Sequence, residues 1–537
     1  MCGILAVIGK KDKVRIQGHS LRMRHRGPDE RDILVMETGT LSHERLAITD
    51  LTTGRQPIKG TRATAVAHNG EIYNYRQLEE SVLQNKYPCR TKSDSEVIVH
   101  LYEEFGTQFC NLLDGMFAFV VLDDDHKTFM AGRDPIGIKP LYYGTDEAGD
   151  LWFASEMKVI CDICPSFEAF PPGHYYTPET GLVRYYMPVW ETKKAEDTDT
   201  SSIRSLLEAS VAKRIDCEVP FGVLLSGGLD SSLIASIMQR QMKKTGKDLH
   251  SFSIGLNTEA PDLKAAAEVA SFLGTKHHQV LFSVAEGIEI IEKLVWHLES
   301  YDVTTIRAST PMYFLSRYIF KQGIKMVLSG EGADEIFGGY LYFYNAPGDE
   351  EFQEETKRRV RLLSTADVLR ADKSTMANCI EAREPMLDKD FIEKIIGLKP
   401  ELKRPYRKGK GSEGRIEKYI LRKAFDDKQN PYLPDSILWR QKEQFSDGVG
   451  YSWIDGLVAH CEASVSDTEF ARAPKLFPYN TPETKEAFYI RRIFHKHFPE
   501  DASAKTVHKW IPKWQKNADP SGRANQIHEA ALEPVSA

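Results

Sequence analysis

The chain has 537 residues, 41% hydrophobic and 27% charged, with a formal net charge of −7. At ~100–200 residues per domain, this length predicts roughly two to four domains of average soluble composition. The acidic balance excludes a nucleic-acid binder that works by charge, and no apolar run reaches the ~20 residues needed to span a bilayer.

The first residues, M-C-G-I-L-A-V-I-G, carry no basic leader, so a signal peptide is not expected. Eight cysteines in so long a chain make no disulfide framework and fit a reducing, cytoplasmic setting. Cys2 has two readings. One is a small buried residue at the start of a strand. The other needs loss of Met1, which leaves Cys2 with a thiol and a free α-amine on one carbon. Such an amine titrates near ~8 and serves as the nucleophile's own base.

A first domain is predicted over 2–190. Short runs such as I-L-A-V-I-G, T-A-V-A-H-N-G-E-I and M-F-A-F-V-V-L alternate or are briefly apolar, the pattern of strands. Helices are predicted near 77–84 and over 93–105, the second opened by Ser93 and Glu96 as a capping box. The domain reads as stacked antiparallel sheets with helices. Cys161 and Cys164 form a C-x-x-C pair. With no second pair and no suitably spaced histidines, they read as ordinary thiols near a loop. Residues 191–202, charged and poor in apolar side chains, read as a linker.

A second domain, 203–515, alternates strands with helices. V-P-F-G-V-L-L, S-F-S-I-G-L, H-H-Q-V-L-F and I-K-M-V-L-S-G are the strands. The alternation predicts an α/β fold with a parallel, doubly wound sheet, followed by added helices. The basic, glycine-rich run 403–415 reads as a solvated loop, and 516–537 as a loosely ordered tail.

Between the first of these strands and its helix stands S-G-G-L-D-S-S, 226–232. Gly227 and Gly228 allow a tight turn that exposes backbone N–H groups. Ser226, Ser231 and Ser232 add hydroxyls, and the helix N-terminus adds partial positive charge. This is an anion cradle without the G-K-S/T of a Walker loop. Asp230 would repel bare phosphate and makes sense as a Mg²⁺ ligand. Ligands of open α/β sheets bind at strand carboxyl ends, and S-G-E-G-A-D-E at 329–335 brings Glu331, Asp334 and Glu335 to the same edge. Asp230 and Asp334 are a predicted Mg²⁺ pair. Glu331 is a predicted base or positioning group, and Lys442 a predicted counter-charge for leaving pyrophosphate.

Further motifs complete the pattern: R-H-R-G-P-D at 24–29, H-E-R-L at 43–46, N-G-E-I-Y-N at 69–74, S-D-S-E at 93–96 and R-Q-K-E-Q-F-S-D-G-V-G-Y at 440–451. With these and M-C-G-I, the chain resembles the glutamine-dependent asparagine synthetases, in their eukaryotic, fungal-like form, over nearly its whole length. The resemblance implies an N-terminal-nucleophile αββα sandwich (α+β) joined to an ATP-pyrophosphatase domain. It implies that Cys2 is the glutaminase nucleophile, with Asn69 and Gly70 as oxyanion hole. Arg45, Leu46, Ala47, Ile48, Thr49, Glu71 and Asp94 would hold glutamine. Leu225, Ser226, Gly227, Gly228, Asp230, Ser231, Ser232, Ile254, Ser329 and Gly330 would hold ATP and pyrophosphate, with Glu331 and Lys442 catalytic. Mg²⁺ would be the cofactor and ATP a co-substrate. Glutamine and aspartate would be the other small-molecule partners, with no nucleic acid and no membrane. Internal passage of ammonia and a homodimer are also expected.

The chain departs from the family pattern at three places. E-A-R-E-P-M-L-D, 381–388, stands where E-A-R-V-P-F-L-D is usual, so Glu384 replaces an apolar residue and Met386 an aromatic one. Asn378 and Cys379 stand where an aromatic residue or His followed by Gly is usual, and Ala333 where Ser is common. A lone buried carboxylate is costly unless paired or protonated. Arg383 or a nearby lysine is its predicted partner, and Arg383 with Glu384 the predicted acceptor pocket. Two alternatives stay open: a related enzyme with a different acceptor acid, and a non-catalytic glutamine- or nucleotide-binding regulator.

Overall fold

The computed structural model describes residues 2–9, 12–407 and 414–514; the predicted tail and residues 408–413 of the basic run lie outside the described residues. The N-terminal strands are β1 (Gly3–Ile8), β2 (Glu30–Val35), β3 (Gly39–Arg45), β4 (Ile58–Lys59), β5 (Thr64–Ile72) and β6 (Gly115–Asp123). They continue with β7 (Thr128–Arg133), β8 (Tyr142–Thr145), β9 (Leu151–Ala154), β10 (Ser166–Ala169), β11 (His174–Thr177) and β12 (Gly181–Arg184). Two six-stranded antiparallel sheets result, in the orders β10–β8–β9–β1–β3–β2 and β12–β11–β7–β6–β5–β4. Small and branched residues meet between them: Ile4, Ala6 and Leu41 pack with Ala65, Ala67 and Val120. Alternation along β1 sends Leu5 and Val7 to the opposite face, where they join a core that includes Phe252 and Ile254 of the second domain. The domains therefore share apolar packing.

Helix α1 (Glu96–Phe105) covers the outer face of the second sheet through Val97, Ile98 and Leu101. The predicted capping box is not formed. The Glu96 carboxylate instead accepts from the backbone N–H groups of Arg90 at 2.8 Å and Thr91 at 2.7 Å. The helix predicted near 77–84 is a short turn, Tyr75–Gln77, that widens into a π turn over Leu78–Val82. Residues 191–202 are pinned rather than loose: Asp197 exchanges backbone hydrogen bonds with Gly397 and Lys399 and its carboxylate accepts from Lys394 at 2.7 Å. Cys161 and Cys164 are buried free thiols, each pushed up to about 12 by burial.

The second domain is built on β13 (Phe221–Leu224), β14 (His250–Gly255), β15 (Lys276–Leu281), β16 (Met326–Leu328) and β17 (Glu381–Arg383). The order is β15–β14–β13–β16–β17 and every pairing is parallel. Helices α2 (Leu229–Thr245), α3 (Pro261–Leu273), α4 (Val303–Lys321) and α5 (Asp367–Met376) accompany it. Strand order reverses at β13, and the phosphate-type loop follows that strand, the usual place for a ligand crevice. β17 was not predicted. Its sequence, E-A-R, has no apolar period, and it is a strand because Met326–Leu328 pairs with it. Lys403, predicted to lie in a solvated run, is fully buried with its ammonium donating to Gln353 Oε1 at 3.1 Å and the Ile395 carbonyl at 2.9 Å.

Candidate active sites

Pairing of β1 with β3 places Cys2 next to the Arg45–Leu46 end of β3, while β5 carries Asn69, Gly70 and Glu71 alongside. The Cys2 backbone N–H donates to Asn69 Oδ1 at 2.9 Å, and the thiol points at the Leu46 carbonyl, 4.0 Å away. Asn69 Nδ2 is buried and has no hydrogen-bond partner among the described residues. Gly70 has φ +143, and a Cβ there would stand 1.9 Å from the Met116 carbonyl oxygen, so only glycine fits. Burial pushes the Cys2 thiol up, and the Glu381 carboxylate adds to this. At rest the group is a thiol and needs a base.

The other predicted glutamine residues ring this centre. Arg45 is held by Glu30 at 2.6 Å and by the Asp50 carbonyl. The Asp94 carboxylate accepts from the Ile72 N–H at 2.7 Å, and burial pushes it up to about 6. Ala47 N–H donates to Asp29 at 2.8 Å, and Ile48 is buried. Thr49 Oγ1 has no hydrogen-bond partner among the described residues.

The second centre is a cavity of about 150 Å³ at the carboxyl edge of the parallel sheet, lined by Leu225, Ser226, Gly228, Asp230, Ser231, Ile254, Ser329, Gly330, Glu331, Asp334 and Lys442 among others. Gly227 and Ser232 stand behind this wall. Gly227 turns at φ +73 against α3, where a Cβ would come within 2.4 Å of the Ala266 nitrogen. Ser232 is fully buried. Hydroxyls of Ser226 and Ser231 lie 3.1 Å apart and order the loop.

Lysines and carboxylates alternate across the cavity. Lys442 lies 2.6 Å from Asp334. Lys418 bridges Asp334, at 2.6 Å, and Asp230. Burial would raise the Asp334 carboxyl, but Lys418 and Lys442 outweigh it and hold it at about 2. Two hard carboxylates thus converge on one cation, the donor set that Mg²⁺ takes. Glu331 is ion-paired with Arg370 of α5. Asp262 pairs with Arg440 at 3.1 Å, yet burial still pushes its carboxyl up to about 7.

Sequence reasoning missed Lys418 and Arg370, each a lone basic residue without local pattern, and quoted Arg440 at the head of R-Q-K-E-Q-F without assigning it. It quoted Arg26 within R-H-R-G-P-D without assigning it. Arg26 Nε donates to the Cys2 carbonyl at 2.9 Å, and its guanidinium pairs with Glu156 at 3.1 Å and Asp372 of α5 at 2.9 Å.

The predicted acceptor pair is split. Strand alternation sends successive side chains to opposite faces, so Arg383 does not pair with Glu384. Arg383 lies 2.9 Å from Glu71 of the first centre and pairs with Glu381. Neither Arg383 nor Glu384 lines the cavity; the arginine beside Glu331 is Arg370. Cys379 adopts φ +60, a left-handed conformation that costs a non-glycine residue about 1–2 kcal/mol. Its thiol donates to the His25 carbonyl at 3.1 Å.

A family model described as Asparagine synthase matches residues 202–353 and 344–518, and one described as Glutamine amidotransferase domain matches 1–214. Asparagine synthetase (glutamine-hydrolyzing) 3 of Arabidopsis thaliana is 52% identical, covering 98% of this chain and 94% of that protein. Asparagine synthetase (glutamine-hydrolyzing) 2 of the same plant is 52% identical over 99% of this chain and 96% of that protein. The enzyme numbered 2 of Oryza sativa subsp. japonica is 51% identical over 99% of this chain and 94% of its own length. The chain belongs to the glutamine-hydrolysing asparagine synthetases, ATP-dependent ligases that draw their nitrogen from glutamine.

Proposed function

We propose that the two centres work in series, with glutamine hydrolysis at Cys2 feeding amide formation on aspartate in the cavity beside Glu331. Loss of Met1 frees the Cys2 α-amine, which takes the thiol proton. The thiolate attacks the glutamine side-chain carbonyl. Asn69 Nδ2 and the Gly70 N–H receive the developing oxyanion, a contribution of about 3–4 kcal/mol per donor. Arg45 grips the glutamine carboxylate as a forked guanidinium does, and Asp94 with Glu71 receives the α-amine. Ammonia leaves, and water releases glutamate from the thioester.

In the cavity, the 226–232 loop cradles the polyphosphate while the aspartate side-chain carboxylate attacks the α-phosphorus of ATP. Lys442 and Lys418 neutralise the departing pyrophosphate. Asp230 and Asp334 would hold Mg²⁺, which would supply charge shielding for the polyphosphate. Ammonia then attacks the acyl carbon, AMP leaves, and Glu331 takes the proton that the nitrogen sheds. Protonated ammonia is no nucleophile, so the nitrogen needs a dry path. One apolar cluster containing Leu46, Ile48, Met116, Met386, Leu225 and Ala333 supports such a path, since it joins the neighbours of Cys2 to those of the phosphate loop.

The observation that carries the reading is that both centres are tied to α5. Asp372 grips the Arg26 that holds the Cys2 carbonyl, and two residues earlier Arg370 grips Glu331. Product analysis with ATP, aspartate and ¹⁵N-amide glutamine tests it. Matched asparagine, AMP and pyrophosphate are expected; glutamate without AMP would mean that the cavity takes another acid. The reading also places the chain in the cytoplasm as a homodimer, which sedimentation tests. Among the described residues no helix is long and apolar enough to cross a membrane.

A further inference from the structure

Glu384 puts a buried carboxyl group into the region between the centres. It is 1% exposed, and its Oε2 has no hydrogen-bond partner among the described residues. An unpaired buried carboxylate is among the costlier side chains a fold can carry.

Its position follows from its neighbours. At one end of the segment, Glu381 acts on the Cys2 thiol and Arg383 lies against Glu71. The Arg383 carbonyl accepts from the Ser329 N–H at 2.9 Å, and Leu387 packs onto the Gly332 backbone. Residues 381–387 therefore run from one centre to the other, with Glu384 in the middle. On its flank lies α5, which also reaches both centres. The charged groups that act on Glu384 are Lys139 and Arg214, which favour the ionised form, and Asp372 and Glu381, which oppose it. Lys139 is committed elsewhere by two long contacts, Asp372 at 3.4 Å and the Ala382 carbonyl at 3.5 Å. Arg214 is bound to Ser210 and Asp388. Neither satisfies Oε2.

We propose that Glu384 is a binding site for ammonia and ammonium between the two catalytic centres, and that its carboxyl exchanges a proton with the nitrogen in transit. The inference rests on the reading that nitrogen passes internally. In the protonated carboxyl, the O–H donates to the ammonia lone pair. Transfer of that proton gives an ammonium–carboxylate pair, and its return to Glu384 frees neutral ammonia toward Glu331. No proton is gained or lost overall. The site also has the supporting electrostatics: burial lifts the carboxyl to about 7, between the proton affinities of an ordinary carboxylate and of ammonia, so both states are within reach at neutral pH.

The test follows the carbonyl stretch of the buried protonated carboxyl by infrared difference spectroscopy on the full-length protein, assigned by its loss in Glu384→Gln. Ammonium chloride should lower the titration midpoint by about half a pH unit or more relative to potassium chloride at equal ionic strength. Equal midpoints in the two salts would overturn the proposal. The wild-type titration needs no variant to fold. A second measurement supplies ¹⁵N-amide glutamine against excess unlabelled ammonium. If wild-type asparagine carries label only at the bulk ratio, internal passage fails and the inference falls with it. If label is retained with a pH dependence that Glu384→Gln and Glu384→Val both flatten, the proposal stands. If label is retained equally in all three proteins at every pH, the passage stands and the role of Glu384 does not.

Discussion

Arg383, on the edge strand of the parallel sheet, lies 2.9 Å from Glu71, a residue of the glutaminase centre. Both Arg383 and its second partner Glu381 are fully buried. Removing one member of a buried charge cluster leaves the others uncompensated, at a cost of about 3–5 kcal/mol. Arg383→Met is expected to lose stability on this scale in urea unfolding. Its Michaelis constant for glutamine should also change, because Glu71 loses the cation that holds it.

Cys2→Ala is expected to abolish synthesis from glutamine and to leave synthesis from ammonium intact. Asn69→Ala should lower glutaminase kcat by about 10²–10³-fold, with ammonium-driven synthesis again unchanged. Parallel assays with the two nitrogen sources check both. A fall in ammonium-driven synthesis as well would place these residues in a structural role.

Lys418→Met is expected to act the other way. The lysine bridges Asp230 and Asp334 in the cavity, so synthesis from either nitrogen source should fall, by about 10²-fold or more. Glutamate release from glutamine should persist. Pyrophosphate release reports the loss directly.

Burial lifts the Glu384 carboxyl from its ordinary 4.5 to about 7. The folded chain therefore keeps a proton there that the unfolded chain gives up. The stability this contributes is full below pH ~4.5 and is lost as pH rises through ~7, about 3 kcal/mol in all at ~1.4 kcal/mol per unit. Glu384→Gln has no such proton to lose. Its unfolding free energy should gain on the wild type by this amount between about pH 4.5 and 8, measured by denaturant titration at several pH values.

Much of both centres was legible in the sequence because their chemistry sits in short, contiguous motifs. The S-G-G-L-D-S-S turn makes its cradle from adjacent backbone groups, and N-G-E places an oxyanion donor beside a glycine that no other residue replaces. The parallel sheet was legible from strand–helix alternation, except for β17, whose charged E-A-R has no period of its own. The capping box at Ser93 was misread because Glu96 finds two nearer backbone donors in Arg90 and Thr91. Pattern alone does not rank competing partners.

The sequence by itself determined which side chains carry the chemistry and which local turns present them, since those depend on neighbours a few positions away. Only the tertiary structure decided the partners that join the two halves. Arg26 meets Asp372 across 346 positions, Glu331 meets Arg370, and Lys418 lies between two carboxylates from separate strand ends. Arg383 turned out to serve the first centre rather than the second. Single charged residues leave no periodic signature, and the low-dielectric interior that makes their pairing compulsory exists only once the chain has folded.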